Sequence, residues 1–256
     1  MSFTRTMSDT RLIFLRCLRQ TLRSKVAVVF GAMQPLLYLV LFGPLLRDLA
    51  GVRAGGAGGA WRVFVPGILI QLALFGAGFV GFGLIADLRS GVVERLRVTP
   101  VSRTALLLGR VLRDTAVVAF QGMLLVAAGL ALGLRAPAGG IAVGLLFVVT
   151  LAVSVASLSY VLAMRTRSED AFAPLLSAVT LPLMLLSGIL LPMSLAPGWL
   201  DVLSRFTPFR YVVDAARAAF LGDYSTAAVA EGAAVSVVLL AVSVTLGVRR
   251  FRAENA

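Results

Sequence analysis

The chain has 256 residues, 59% of them hydrophobic and only 14% charged, with a mean hydropathy of +0.95. That leaves too little polar surface to wrap a water-soluble core of this length, so the composition specifies an integral membrane protein. Histidine is absent, which excludes imidazole catalysis and imidazole metal ligation, and the single cysteine, Cys17, can form neither an intrachain disulfide nor a zinc site and is read as a small filler.

In residues 1–25, Arg16, Arg19 and Arg23 share one helical face while Phe14, Leu15, Leu18 and Leu22 share another. This pattern predicts an amphipathic helix in the inner membrane interface, serving as a headgroup anchor or also touching a cytosolic partner. The segment is too basic and too long for the leading region of a cleaved signal, so the first span is expected to stay as an anchor. That span, 26–46, carries Gln34 beside Pro35, whose ring frees a backbone carbonyl. Gln34 is therefore the best candidate for a pathway residue, interhelical hydrogen bonding being its plainer role; Tyr38 lies one turn further on.

A flexible Gly-Gly-Ala-Gly-Gly linker at 55–59 leads to the second span, 63–86. Glycines 76, 78, 81 and 83 have no following strand–helix unit and no basic residue, so they read as close helix packing rather than a phosphate cradle. Phe75, Phe79 and Phe82 beside them either line a greasy path or simply pack. In the loop 87–113, Gly91 permits a break, residues 92–98 can form a short helix, and Pro100 prevents its continuation before Ser102 caps the next helix. A short helix held between two spans and exposing Glu94, Arg95 and Arg97 is a knob for a cytosolic protein to grip; a solvated basic loop is the alternative.

Spans at 114–134 and 141–163 follow, joined by a tight turn, and then a fifth at 173–193. The segment 194–226 is punctuated by Pro197 and Pro208 after Pro192. Thr207 is placed to cap a helix starting at Pro208, with Phe209, Val212, Val213, Ala216 and Phe220 on one face and Gly222 ending it. Arg210, Asp214 and Arg217 are expected on the other face, each Arg beside the same Asp. With a shorter turn of helix over 198–206, the pattern reads as a broken hairpin dipping into the outer leaflet, or as two ordinary interfacial helices. The last span is 227–248.

Seventeen of the 24 basic residues fall in 1–25, 87–113, 164–172 and 249–256. Both termini are therefore expected in the cytoplasm, and topology rather than nucleic-acid binding accounts for the net charge of +12. Polar residues within the predicted spans are few: Gln34, Gln71, Gln121, Tyr160, Ser177, Thr180 and the near-terminal Glu231. No carboxylate is expected at mid-span, which disfavours a gradient-driven transporter or channel. An intramembrane protease lacks its histidines. There is no G-x-x-x-x-G-K-[ST] motif, so the chain supplies no Walker-type ATP site.

These features together resemble the ABC-2 type permeases, the membrane subunits of ATP-driven exporters, and most of all the branch of daunorubicin-export permeases. The resemblance covers nearly the whole chain and rests on the basic interfacial helix, six spans, the loop Glu94, Arg95, Leu96, Arg97, Val98, Thr99 and Pro100, and the segment from Leu186 through Pro192, Pro197, Trp199, Pro208, Asp214, Arg217 and Gly222. It implies an all-α integral membrane fold in one domain, 1–256, with an N-terminal interfacial helix, six transmembrane helices, a coupling helix at 94–100 seated on the ATPase, and an outer re-entrant hairpin before the last span. It further implies a bacterial cytoplasmic-membrane permease dimer, of two copies or with a related chain, and two separate ATPase subunits that bind Mg-ATP. This chain itself would catalyse nothing and bind no cofactor or metal. ATP-driven closure would push on the coupling helices and tilt the first, second and fifth spans, moving a drug or lipid-like amphiphile past Gln34, Tyr38, Phe75 and Phe79. A non-transporting anchor or regulator of an ATPase remains the alternative within the same machinery.

Overall fold

A computed structural model describes residues 3–23, 33, 36–41, 57–92, 102–190, 193 and 196–253. Among the described residues there are nine long or short α-helices and no strand: α1 (Phe3–Arg23), α2 (Ala57–Gly78), α3 (Val80–Arg89), α4 (Arg103–Ala131), α5 (Ala138–Thr166), α6 (Glu169–Leu186), α7 (Gly198–Ser204), α8 (Pro208–Leu221) and α9 (Ala227–Ala253). Residues 36–41 are also helical, with Leu39 fully buried.

Five stretches are long and apolar enough to cross a bilayer: Trp61–Arg89, Thr104–Ala131, Ala138–Thr166, Glu169–Leu186 and Ala227–Phe251. The first expected span lies largely outside the described residues. The third begins ten residues before the sequence places it, at Asp114, because Arg110 and Arg113 do not lie in a loop. Arg110 pairs with Asp87 of α3 at 2.7 Å and Arg113 with Asp114 at 3.0 Å, so charges that hydropathy assigns to water are neutralised within the packed helix. The fifth stops at Leu186 rather than at 193, since Gly188 turns to a positive φ of 73° and breaks it.

The bundle is organised around α5, which packs against α2, α3, α4, α8 and α9. Its core joins Ile68, Leu69 and Leu72 of α2 to Phe147, Val148, Leu151 and Ala152 of α5 and to Val212, Val213 and Phe220 of α8. Helix α1 lies along α4. Gly109 permits this approach, since any side chain there would run into Ile13 and the backbone at Phe14. The contact is fixed at its ends: the Ser102 amide donates to the Asp9 carboxylate at 3.2 Å, and Arg113 donates to the Thr21 hydroxyl at 3.2 Å. Ser102 also caps α4 as expected, its hydroxyl accepting from the Ala105 amide at 3.2 Å.

Candidate functional site

Two places gather the residues singled out in the sequence. The first is the break between α2 and α3. Phe79 stands between the two helices and donates its amide to the Phe75 carbonyl at 3.1 Å. The helix ladder is interrupted there, and Ser159 of α5 bridges the gap. Its hydroxyl donates to the Gly78 carbonyl at 2.5 Å and accepts from the Gly81 amide at 3.0 Å, satisfying two groups that the break would orphan inside the bundle. Phe75, Phe79 and Phe82 stack with ring centroids 6.0 Å apart at each step, and Phe82 meets Phe172 of α6 edge-on at 4.8 Å. Phe79 is exposed and Phe75 half-buried, so the stack runs from the packed interior to the protein surface. Tyr38 is half-buried against the core. Gln34 lies outside the described residues.

The glycines of this region do not all pack. Gly76 abuts Val118, Gly78 lies near Leu176 and Val155, and Gly81 lies under Phe172 and Ser159, but Gly83 faces open space.

Beneath the break, Asp114 is buried, and the Tyr160 hydroxyl donates to it in a short hydrogen bond. The sequence places Asp114 at the first residue of a span and expects no carboxylate at mid-span; with the span starting at Thr104, Asp114 sits well inside α4. Arg113 beside it makes the pair neutral, which is how the bundle tolerates the charge. Gln71 and Gln121 are buried as well, while Ser177 is exposed and Thr180 buried on α6.

The second place is the helical hairpin α7–α8. Phe209, Val212, Val213, Ala216 and Phe220 are buried along α8, and Gly222 ends the helix at φ 93°, a conformation suited to glycine. Thr207 occupies the cap position, yet its hydroxyl donates backward to the Ser204 carbonyl at 2.6 Å and makes no cap bond. Pro197 precedes α7, and Trp199 on it is exposed. Pro192 lies outside the described residues.

The polar face of α8 differs from expectation. Asp214 is 3.6 Å from Arg210 and 3.9 Å from Arg217, both loose. Arg210 is held instead by Asp201 of α7 at 2.6 Å, and Arg205 reaches the same carboxylate at 2.8 Å. These two guanidiniums keep the Asp201 carboxyl below its ordinary range. Arg217 turns inward and is buried. It donates to the carbonyls of Val63 at 3.1 Å, Gly188 at 2.7 Å and Ile189 at 3.2 Å, tying α8 to the start of α2 and to the broken end of α6. Spacing alone missed this, because carbonyls freed by a chain break leave no mark in a helical-wheel pattern.

Glu94, Arg95, Leu96, Arg97, Val98, Thr99 and Pro100 lie outside the described residues. On either side of them, Gly91 has a positive φ of 69° and Ser102 caps α4.

Most of this helical chain, including the break after α2 and the hairpin α7–α8, lies within the range matched by the model of a known family. The model of the ABC-2 type transporters covers residues 8–221. The chain belongs to that family. A putative transport permease, ycf38, of Cyanophora paradoxa is 27% identical to the permease over 209 residues, 81% of this chain and 71% of that one. The daunorubicin resistance ABC transporter permease protein DrrB1 of Streptomyces coeruleorubidus is 26% identical over 233 residues, covering 90% and 81%. A probable doxorubicin resistance ABC transporter permease, DrrC, of Mycobacterium tuberculosis is 25% identical over 219 residues, covering 84% and 78%. The protein is therefore a multi-pass membrane permease of an ABC transporter, and its family implies an ABC ATPase as partner.

Proposed function

We propose that the permease is the membrane subunit of an ATP-driven exporter that moves a hydrophobic or amphiphilic substrate, an antibiotic or lipid-like molecule, out across a bacterial cytoplasmic membrane. The family match over residues 8–221 carries this reading, and the relatives named for daunorubicin and doxorubicin resistance support the substrate class. The chain crosses the membrane six times with both termini inside, the first crossing falling at 26–46, and α1 lies in the inner interface. The hairpin α7–α8 enters the outer leaflet. Two permease chains, alike or related, pair over two separate ATPase subunits, which hold the Mg-ATP and do the hydrolysis.

Movement enters through residues 94–100, gripped by the ATPase, and passes to α3 and α4, which this loop joins directly. The Asp87–Arg110 ion pair closes the same junction from inside, so the two helix ends shift together. The exposed edge of the Phe75–Phe79–Phe82 stack offers an amphiphile apolar contact near the break, where α2 and α3 can change their angle.

The deciding experiment purifies the tagged chain in mild detergent, identifies what accompanies it and assays magnesium-dependent ATP hydrolysis. A Walker-motif protein and activity are expected; a solitary, inactive oligomer from membranes that yield other intact complexes would sink the exporter. The Glu94→Ala, Arg97→Ala double variant should insert normally but lose ATPase docking or efflux, and wild-type efflux from it would remove the coupling role. A gradient-driven mechanism draws its one support from buried Asp114: proton-dependent uptake by vesicles free of ATPase, abolished in Asp114→Asn, would favour it.

A further inference from the structure

Between the hairpin and α9, Arg205, Arg210, Tyr211 and Asp214 face Ala228 and Glu231 across a cavity of about 520 Å³. This is the size of a small-ligand site. Its charges are unequally satisfied. Arg210 is held from behind by the Asp201 carboxylate at 2.6 Å and the Asp201 carbonyl at 2.8 Å. Arg205 spends its Nε and one terminal nitrogen on the same carboxylate, at 3.2 and 2.8 Å, and its side chain is 64% exposed, leaving the other terminal nitrogen for a ligand. The Tyr211 hydroxyl fixes this wall by donating to the Arg205 carbonyl at 3.0 Å. Asp214 is held only loosely, and Glu231 has neither ion pair nor hydrogen bond among the described residues.

Counting Asp201 and Arg217 behind the wall, three carboxylates meet three guanidiniums, but all three guanidiniums are engaged by Asp201 or Asp214 and the unanswered carboxylate is Glu231. An ammonium there gains charge-assisted hydrogen bonds from itself to Glu231 and Asp214. A purely cationic ligand would face Arg205, and a purely anionic one would face Glu231. A primary ammonium joined through a few atoms to a phosphate answers both, the phosphate oxygens accepting from Arg205.

The surroundings favour a lipid over a soluble phosphoester. Next to Arg205 the side chain of Phe206 is 82% exposed and that of Trp199 70%, while on α9 the turns after Glu231 expose Val237, Val238 and Val242. A polar cavity thus opens beside apolar surface, the layout needed for a headgroup above its acyl chains. We propose that the cavity between α8 and α9 binds the headgroup of an outer-leaflet phospholipid carrying a primary ammonium and a phosphate, bracing the hairpin on the last span. The proposal rests on the outer placement of the hairpin given above but not on transport.

The test is native mass spectrometry of the full chain in detergent, with no ATPase present, titrated with phosphatidylethanolamine, phosphatidylglycerol or phosphatidylcholine of matched chains. Phosphatidylethanolamine should be retained in preference to the other two, and Glu231→Gln should weaken its retention about tenfold while leaving that of phosphatidylglycerol equal or stronger, since the variant removes the charge that opposes an anion. Glu231 is exposed, so this variant keeps its fold, which its thermal midpoint will verify. Equal retention of the three lipids, or indifference of phosphatidylethanolamine to Glu231→Gln, overturns the site. If soluble O-phosphoethanolamine binds as tightly as the lipid, the acyl chains contribute nothing and the lipid assignment fails. Neither failure touches the exporter, which the ATPase copurification tests independently.

Discussion

Arg217 satisfies itself almost entirely with backbone oxygen. Three carbonyls from two separate elements accept from its guanidinium, and its remaining buried nitrogen has only Asp214 at 3.9 Å. Leaving buried carbonyls without a donor is expensive, and among the described residues no other side chain donates to these three. Arg217→Ala should therefore cost about 3 kcal/mol, read as a lowered thermal midpoint in detergent, while Asp214→Asn should cost under about 1 kcal/mol. Equal losses would show that the ion pair, and not the carbonyl contacts, holds the hairpin. Asp201 gives a pH signature. Its carboxyl is held below the ordinary value of 3.8 by Arg205 and Arg210, so its contribution is complete above that value and is lost as pH falls through the depressed one. The thermal midpoint of the wild type should drop in this acid window more steeply than that of Asp201→Asn, in which the link is already gone; parallel curves would refute it.

At the scale of elements, the Trp61–Arg89 span is two helices spliced by a side chain from a third. Ser159 answers both orphaned groups of the α2–α3 break, so Ser159→Ala leaves the Gly78 carbonyl and the Gly81 amide without partners in the bundle. The expected cost is about 2 kcal/mol, with faster amide exchange at Gly81 than at Leu84 one turn away. Unchanged exchange at Gly81 would mean that the splice is not what protects the break. Little of this junction was legible in the sequence. The glycines announced close packing, but a serine 78 residues downstream of Gly81 acquires its meaning only when α5 is laid against α2 and α3. The hairpin was more legible: the apolar stripe of α8 and its terminal Gly222 follow from spacing, because both are properties of one helix. Arg217 was not, since its partners lie on other elements.

Across the whole molecule, the spans are buried very unequally. The Trp61–Arg89 span is 67% buried within the chain, against 11% for Glu169–Leu186 and 17% for Ala227–Phe251. The outer faces of α6 and α9 are apolar, so they require lipid or another protein against them rather than water. Val238, 62% exposed near the middle of α9, is a direct probe of this. Val238→Arg should raise the insertion cost of the last span by about 3 kcal/mol, seen as reduced membrane integration in a translocation assay. Full integration would place that face in a water-filled space.

The sequence by itself determined that this chain is helical, membrane-spanning and without a Walker site, because hydropathy, periodicity and motif are local and additive along the chain. It also carried the family, through the order of those local features. Only the tertiary structure decided where the charges of α4 go, how the broken Trp61–Arg89 span is held, and which carbonyls Arg217 serves. Each depends on groups far apart in sequence that meet across a packed interface, where an isolated charge or an unpaired backbone group is costly enough that its partner, wherever it lies in the chain, fixes its place.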